Sequence, residues 1–538
     1  MPSKPLKNDT DADDVLIRTA ASMTEESPGD GFPLDALRRY VPLAAWTVVI
    51  LVILAIPFKI VSYGYLPGDD ALRHAAKAVS GKSWSEILIL NPTYKMDHEF
   101  GWNLLLEKIH LWNHAGAESL VLFSVVSLFL VVGWSVLPWL KRPEAWLMAL
   151  IVLSLLTGLP QRILLGRPYL MTMAALLNVL FLWQTHGSSA PKWWMMGLMT
   201  ALTAASTFMH GVWYLWALPV WAFFLAAQFR WGITLMVCSA AGIFLGSALT
   251  GHPVGYPLQA IKLALLATGM QDITHIKALE LQPFNGNVLA LLAVGGLLVL
   301  RRMARLETTP LHANPVFWLA VLCWVLGFLV GRFWFDWGLP ALLVLLTSDL
   351  QLFLQPRFVV DSFRRLALVC GAALTLYAVS TNDIESRWTE NLAWQFLAPD
   401  NQDLTGWLPD RGGIFYTADM TLFYQTFFKN PNGDWRYMLG FEPTWMPAED
   451  FKVYHLVHWN FGDSKAYEPW VEKMQPADRL VIRGGRGNAP DFPQLEWEYG
   501  VSDIWIGRLP RTNAPPPAPT IPARVSRNVP ANPVGLPR

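Results

Sequence analysis

Apolar runs of seventeen residues or more recur along two thirds of the chain, broken by short clusters of arginine and lysine. Runs of that length, apolar all round, read as membrane-crossing helices, not amphipathic surface helices. The pattern predicts eleven, at about 41–61, 118–140, 146–159, 169–183, 194–209, 212–227, 233–250, 287–300, 316–331, 337–354 and 366–380. Arg38, Arg39, Lys141, Arg142, Lys192, Arg230, Arg301, Arg302, Arg305, Arg357, Arg364 and Arg365 all fall at alternate span ends. The positive-inside rule makes those ends cytoplasmic, with the N-terminus inside and the C-terminus outside.

Between the spans two stretches differ. Residues 62–117 form a long first outer loop rich in His, Asp, Glu and aromatic residues, and 251–286 a second loop holding an apolar stretch, 258–266, too short to cross. That stretch predicts a helix lying in the interface. From about 381 the pattern changes to short β-branched and aromatic runs punctuated by Gly and Pro. Strands are expected at 413–417, 435–439 and 479–482, helices at 418–428 and 447–457, and a closing hairpin from 495–499 and 504–509. The fold class is therefore a polytopic α-helical membrane protein with a C-terminal extracytoplasmic α/β domain. The expected divisions are a disordered cytoplasmic tail (1–40), the membrane domain (41–381), the outer domain (382–511) and a Pro-rich disordered tail (512–538).

Composition supports this picture: 53% of residues are hydrophobic and only 15% charged, where a soluble domain is nearer a quarter charged. Many of the 27 Trp, such as Trp139, Trp193 and Trp334, cluster at span ends, where amphipathic rings settle. The net charge of +0 gives no reason to expect nucleic acid as a partner. Cys238, Cys323 and Cys370 are too far apart for a zinc ribbon or haem motif. The polar start predicts no cleaved leader, so the first span would act as a signal anchor. Asn8-Asp9-Thr10, in the inner tail, is the only glycosylation sequon, which favours a bacterial inner membrane over a secretory one.

Candidate chemistry begins at Gly68-Asp69-Asp70-Ala71-Leu72-Arg73-His74. Either aspartate is a good N-cap, Ala71 to Ser80 favour a helix, and Gly81 is a natural stop. Spacing of four predicts Asp69–Arg73 and Asp70–His74 pairs. Read locally, this is a capped helix with two ion pairs. Its position at the outer end of span one gives it a second meaning, because Arg162, Arg167, His210 and Arg332 lie at outer span ends too. Arginine suits phosphate through its planar fork, although span-end arginines also snorkel. Arg332 and Asp336 can pair at helical spacing, and His210 can be a helix-end residue. His98-Glu99 is not a metalloprotease motif, since Trp102 stands where the second His belongs. His110 and His114, four apart, leave a divalent metal possible but are more often interfacial residues. Arg483-Gly484-Gly485-Arg486-Gly487 reads better as a turn after a strand than as an anion site.

Two stretches carry a family resemblance. Gly68 to Ala78 resembles the Asp-Glu/Asp opening of the first outer loop in the GT-C superfamily of membrane glycosyltransferases, as in protein O-mannosyltransferases and lipid A aminoarabinose transferases. Arg332-Phe333-Trp334-Phe335-Asp336-Trp337-Gly338-Leu339-Pro340 is similar to that superfamily's late Arg-aromatic…Pro-aliphatic pattern. The stretch Met96 to Leu105 departs from the Pro-Pro-Leu-like turn of protein mannosyltransferases. The resemblance implies sugar transfer, with inversion, from a polyprenyl-phosphate donor to a glycan, lipid or protein acceptor. It implies Asp69 or Asp70 as catalytic base, Asp69 aligning better, and Arg332 with Arg162 or Arg167 on the donor phosphate. His74, His98, Glu99, His210 and Asp336 are further candidates around the acceptor. No glycine-rich nucleotide loop competes with a lipid-linked donor. A flippase or transporter, a polysaccharide polymerase or ligase, and a non-enzymatic scaffold are the alternatives. Transporters usually repeat their halves and hold charge at mid-membrane, and neither pattern appears here.

Overall fold

The computed structural model describes residues 37–92, 96–269, 282–284, 288–306, 308–398, 404–485, 487–501 and 503–510. Residues 1–36 of the expected tail at 1–40, the whole expected tail at 512–538 and part of the second outer loop lie outside these residues.

Helices form where the apolar runs predict them. Among the described residues five are long and apolar enough to cross a membrane: Val41–Ser62, Ala117–Trp139, Phe229–Leu249, Gly331–Leu354 and Phe363–Thr381. Shorter apolar helices include Pro143–Thr157 and Pro315–Gly327. Others are interrupted. The sixth expected span is a 3-10 turn, Trp213–Trp216, leading into Ala217–Leu225, and the tenth starts earlier than expected, at Gly331, through a π-helical turn Trp334–Gly338. The expected turn at Pro160-Gln161-Arg162 is a short helix, Leu159–Ile163.

Small residues let two helices meet closely. Trp193–Met209 packs along Phe229–Leu249, where a Cβ on Gly242 would come within 2.6 Å of the Thr200 carbonyl, and one on Gly246 within 2.5 Å of Ala204's. This is the small-xxx-small approach of membrane helices. Gly246→Leu is therefore expected to force the pair apart, costing about 1–3 kcal/mol, as overpacking does. Thermal unfolding in detergent reads the loss; Gly197→Ala, where a Cβ meets nothing within 4 Å, is expected to leave it unchanged.

The first outer loop folds as three helices: Asp70–Ser80, the single turn Trp84–Ile87, and Phe100–Asn113. The left-handed Gly81 (φ 62°) ends the first, as its sequence predicts. The apolar stretch at 258–266 lies in a helix, Gly255–Gly269.

The C-terminal region holds a five-stranded sheet in the order β2-β1-β3-β5-β4. Its strands are β1 Ile414–Tyr416, β2 Arg436–Tyr437, β3 Arg479–Arg483, β4 Glu496–Tyr499 and β5 Ile504–Arg508. β1 pairs in parallel with β2 and β3, while β5 runs antiparallel to β3 and β4. Alternate side chains serve opposite faces. Tyr416, Leu480 and Ile482 pack with Tyr454 and Trp470 of the helices Ala448–Trp459 and Glu468–Lys473. Phe415, Val481, Ile504 and Ile506 instead share a core with Ala76, Trp84, Ile87 and Leu88 of the first loop. Main-chain bonds reinforce this join: Ile89 N donates to Tyr437 O (2.9 Å) and Asn91 N to Trp445 O (2.7 Å). The sheet therefore sits on the loop, and the two bury their apolar faces together.

Candidate active site

That stacking encloses a cavity of about 640 Å³ between the first loop, the outer helix ends and the C-terminal region. One wall is acidic and basic. Asp69 is extended (φ −143°) and caps the helix Asp70–Ser80, accepting from Asp70 N. Gly68 beside it lies under the Trp394 ring, where a Cβ would come within 2.6 Å.

The expected pairs of Asp69 with Arg73 and Asp70 with His74 do not form. Asp69 meets Arg167 instead, Nη2 to Oδ1 at 2.5 Å. Asp70 takes Arg73 Nε at 2.8 Å, one residue closer than expected, and Arg167 Nε lies 3.5 Å from its other oxygen. His74 is fully buried and bonds through Nδ1 to Asn103 Oδ1 at 2.6 Å. Long-range partners displace helical neighbours because Asp69 is a cap, outside the helix, and the helix buries His74.

Arg73, 2% exposed, is the hub of this wall. It joins Asp70 to Glu99 and lies against the Phe441 ring at 3.8 Å. Glu99 also lies 3.5 Å from His74 Nε2. Burial, the largest single influence, pushes the Asp70 and Glu99 carboxyls up, but the opposing charges together outweigh it: Arg73 with Arg167 at Asp70, and Arg73 with His74 at Glu99. Both are held well below the usual carboxylate range. They are ionised, and they are weak proton acceptors.

A second group is built around Arg332 and His210, which line the same cavity. Arg332 Nε donates to Asp336 Oδ2 (3.0 Å), and Nη2 donates to His210 Nε2 (3.2 Å). Because guanidinium cannot accept, His210 Nε2 is the acceptor and its proton sits on Nδ1. Burial and then the Arg332 charge lower this imidazole well below its usual value. Arg162 reaches the same Asp336, at 2.5 Å and 3.1 Å. Arg332, Arg167 and Arg73 line the cavity; Arg162, Asp336 and His74 are not in its lining. Asp336 lies between Arg162 and Arg332 and holds both in place.

His98 lines the cavity as well, and its carbonyl accepts from Gly211 N (2.8 Å) and Tyr256 Oη (2.7 Å). Gln259 Nε2 donates to Met96 O at 2.7 Å. These bonds fix the helix Gly255–Gly269 against the loop, where Ala260, Leu263 and Ala264 make an apolar wall. Arg73 Nη1, His98 Nδ1 and His210 Nδ1 are buried without a hydrogen-bond partner among the described residues. Buried polar atoms are normally paired, so lining atoms left over like these mark a place where a polar ligand fits.

Nine lining residues come from the C-terminal region and none was among the sequence candidates; three of them, Tyr424, Glu442 and Tyr454, can ionise. Glu442 leads into a 3-10 turn, Pro443–Trp445. Burial, then Asp70 and Glu99, push its carboxyl up to about 7 against the opposing pull of Arg73 and Arg332. In Met438 to Met446 it is the one ionisable residue, the signal that could have marked it.

His110 and His114 do not form a metal pair. His110 Nδ1 bonds to Ala115 O at 2.8 Å, and His114 is the left-handed cap of its helix. Among the described residues no group of three His, Cys, Asp or Glu is placed to hold a metal ion. Arg483 pairs with Asp419 at 2.6 Å where its strand ends, while Arg486 lies outside the described residues. Comparison with known protein families finds none that matches the chain, and comparison with curated proteins finds no match either.

Proposed function

We propose that this protein is a GT-C-type membrane glycosyltransferase. It moves a sugar, with inversion, from a polyprenyl-phosphate donor to an acceptor on the outer face of a membrane. The observation that carries this reading is a single cavity that combines loop-one carboxylates, three arginines and an apolar wall. The topology that goes with it has eleven spans, N-terminus inside and C-terminal domain outside, in a bacterial inner membrane.

The residues divide the work by chemistry. Arg332 and Arg167 receive the donor phosphate, and their charge stabilises the phosphate oxygen as the anomeric C–O bond breaks. Arg73 Nη1 and His210 Nδ1 add donors to it. The prenyl chain lies along the wall of Ala260, Leu263 and Ala264. Asp69 and Asp70 hold Arg73 and Arg167 at fixed positions, so the site is organised before the substrate arrives.

Transfer is measured directly by incubating the purified protein in nanodiscs with a panel of radiolabelled polyprenyl-phosphate sugars and membrane-derived acceptors. Wild-type protein is expected to consume one of them. Asp69→Asn combined with Asp70→Asn is expected to lower the rate at least about 100-fold, the scale of losing a positioned charge at a reacting centre. An undiminished rate in the double variant would remove the carboxylate pair from the mechanism. Movement of intact lipid-linked sugar between leaflets without transfer would mark a flippase instead.

A further inference from the structure

Each carboxylate of the first loop in this cavity has a basic partner. Asp69 has Arg167, Asp70 has Arg73, and Glu99 has Arg73 and His74. Glu442 differs: its carboxyl makes no ion pair or hydrogen bond among the described residues, yet it lines the same cavity. Charged and titratable groups face it from every side. Asp70, Arg73 and Glu99 come from the first loop, Arg332 from the start of the late span, Tyr214 from the turn before Ala217, and Tyr454 from its own region.

Resting on the glycosyltransferase reading, we propose that Glu442 is the catalytic base that takes the proton from the acceptor hydroxyl. The acceptor oxygen forms its bond to the anomeric carbon as that carbon's bond to the phosphate oxygen breaks. The leaving polyprenyl phosphate keeps the electron pair, and the hydroxyl proton passes to the Glu442 carboxylate, which returns it to solvent. Asp69 and Asp70 are then positioning residues, since strongly ion-paired carboxylates have little affinity for a proton. A carboxyl that titrates near neutrality matches proton transfer at physiological pH. The C-terminal region thereby supplies part of the chemistry as well as cover.

Two measurements on the full-length protein test this. In the first, kcat/KM of wild type is expected to rise about tenfold per pH unit below about 7 and level off above it. Glu442→Gln is expected to be at least about 100-fold slower with that limb gone, and Glu442→Asp to recover part of the rate. Asp69→Asn with Asp70→Asn, though slow, is expected to keep the limb.

In the second, thermal unfolding of wild type and Glu442→Gln is compared at pH 5 and pH 8. A raised carboxyl contributes stability below its unfolded value near 4.5, and this is lost as pH rises through about 7. Glu442→Gln is therefore expected to melt several degrees higher than wild type at pH 8 and alongside it at pH 5. Equal melting at both pH values overturns the role whatever the substrate. If wild type transfers sugar and Glu442→Gln keeps rate and limb, the role falls and the glycosyltransferase reading stands. If wild type transfers no sugar, both fall.

Discussion

Replacing Arg73 by methionine is expected to cost about 3–5 kcal/mol, the scale of removing one partner from a buried ion pair. Methionine keeps most of the side-chain volume, so the loss is electrostatic. Without the guanidinium, Asp70 and Glu99 share a buried wall unneutralised, and the Glu99 charge raises the Asp70 carboxyl. The aromatic face of Phe441, now 3.8 Å from the cation, also loses its partner. Wild-type Asp70 and Glu99 are depressed, so their stabilisation is present above the unfolded carboxylate range and is lost as pH falls through the folded values. In the variant both values rise, and acid unfolding moves to higher pH. Lysine at position 73 is expected to recover only part of the loss, because a point charge cannot fork between two carboxylates. Chemical or thermal unfolding in detergent measures the change; a loss under 1 kcal/mol would mean the wall relaxes around its unpaired acids.

Glu144→Ala is expected to lose a similar 3–5 kcal/mol, at the other end of the helices. Glu144 is 0% exposed and takes Arg365 in a two-point fork, 2.8 Å and 3.0 Å, with Arg142 Nη1 at 3.3 Å. The arginines are held further by main-chain carbonyls: Arg142 by Phe358 (2.6 Å) and Arg365 by Val360 (2.9 Å). This knot ties Pro143–Thr157 to Phe363–Thr381. Removing the glutamate leaves two cations facing each other among apolar side chains. The double change Glu144→Met with Arg365→Met is expected to regain most of the loss, since well-packed apolar replacements of buried ion pairs are often near neutral. The same unfolding assay separates the two; equal losses in single and double variants would show that packing, not charge, is at stake.

How legible was all this in the chain? Helices along the apolar runs were legible because hydrophobicity over seventeen residues is a strong local signal. The helix Asp70–Ser80, its cap and its Gly81 stop followed from short-range rules. The strands of the C-terminal region were legible to within about two residues. Pairing was not. Arg73 binds Glu99, 26 residues on, and Arg167 binds Asp69, 98 residues back; no spacing rule reaches that far. Arg332–Asp336 was legible because it is helical spacing, but the second claim on Asp336 by Arg162, 174 residues away, was not. Glu442 was missed for the same reason. Its neighbours in sequence are Phe441 and Pro443, and its unusual environment is made by residues more than a hundred positions away.

The bridge between Leu88 and Tyr437 has a consequence for how the protein comes into being. Synthesis runs at roughly 5–20 residues per second, so roughly 20–70 s separate the emergence of Arg73 from that of Glu442. Throughout that interval Trp84, Ile87 and Leu88 have no sheet to lie under. The half-made chain has the first loop and Arg167 but no roof over them. An unfinished copy is therefore sticky, and only the last fifth of the chain brings the sheet that covers the loop.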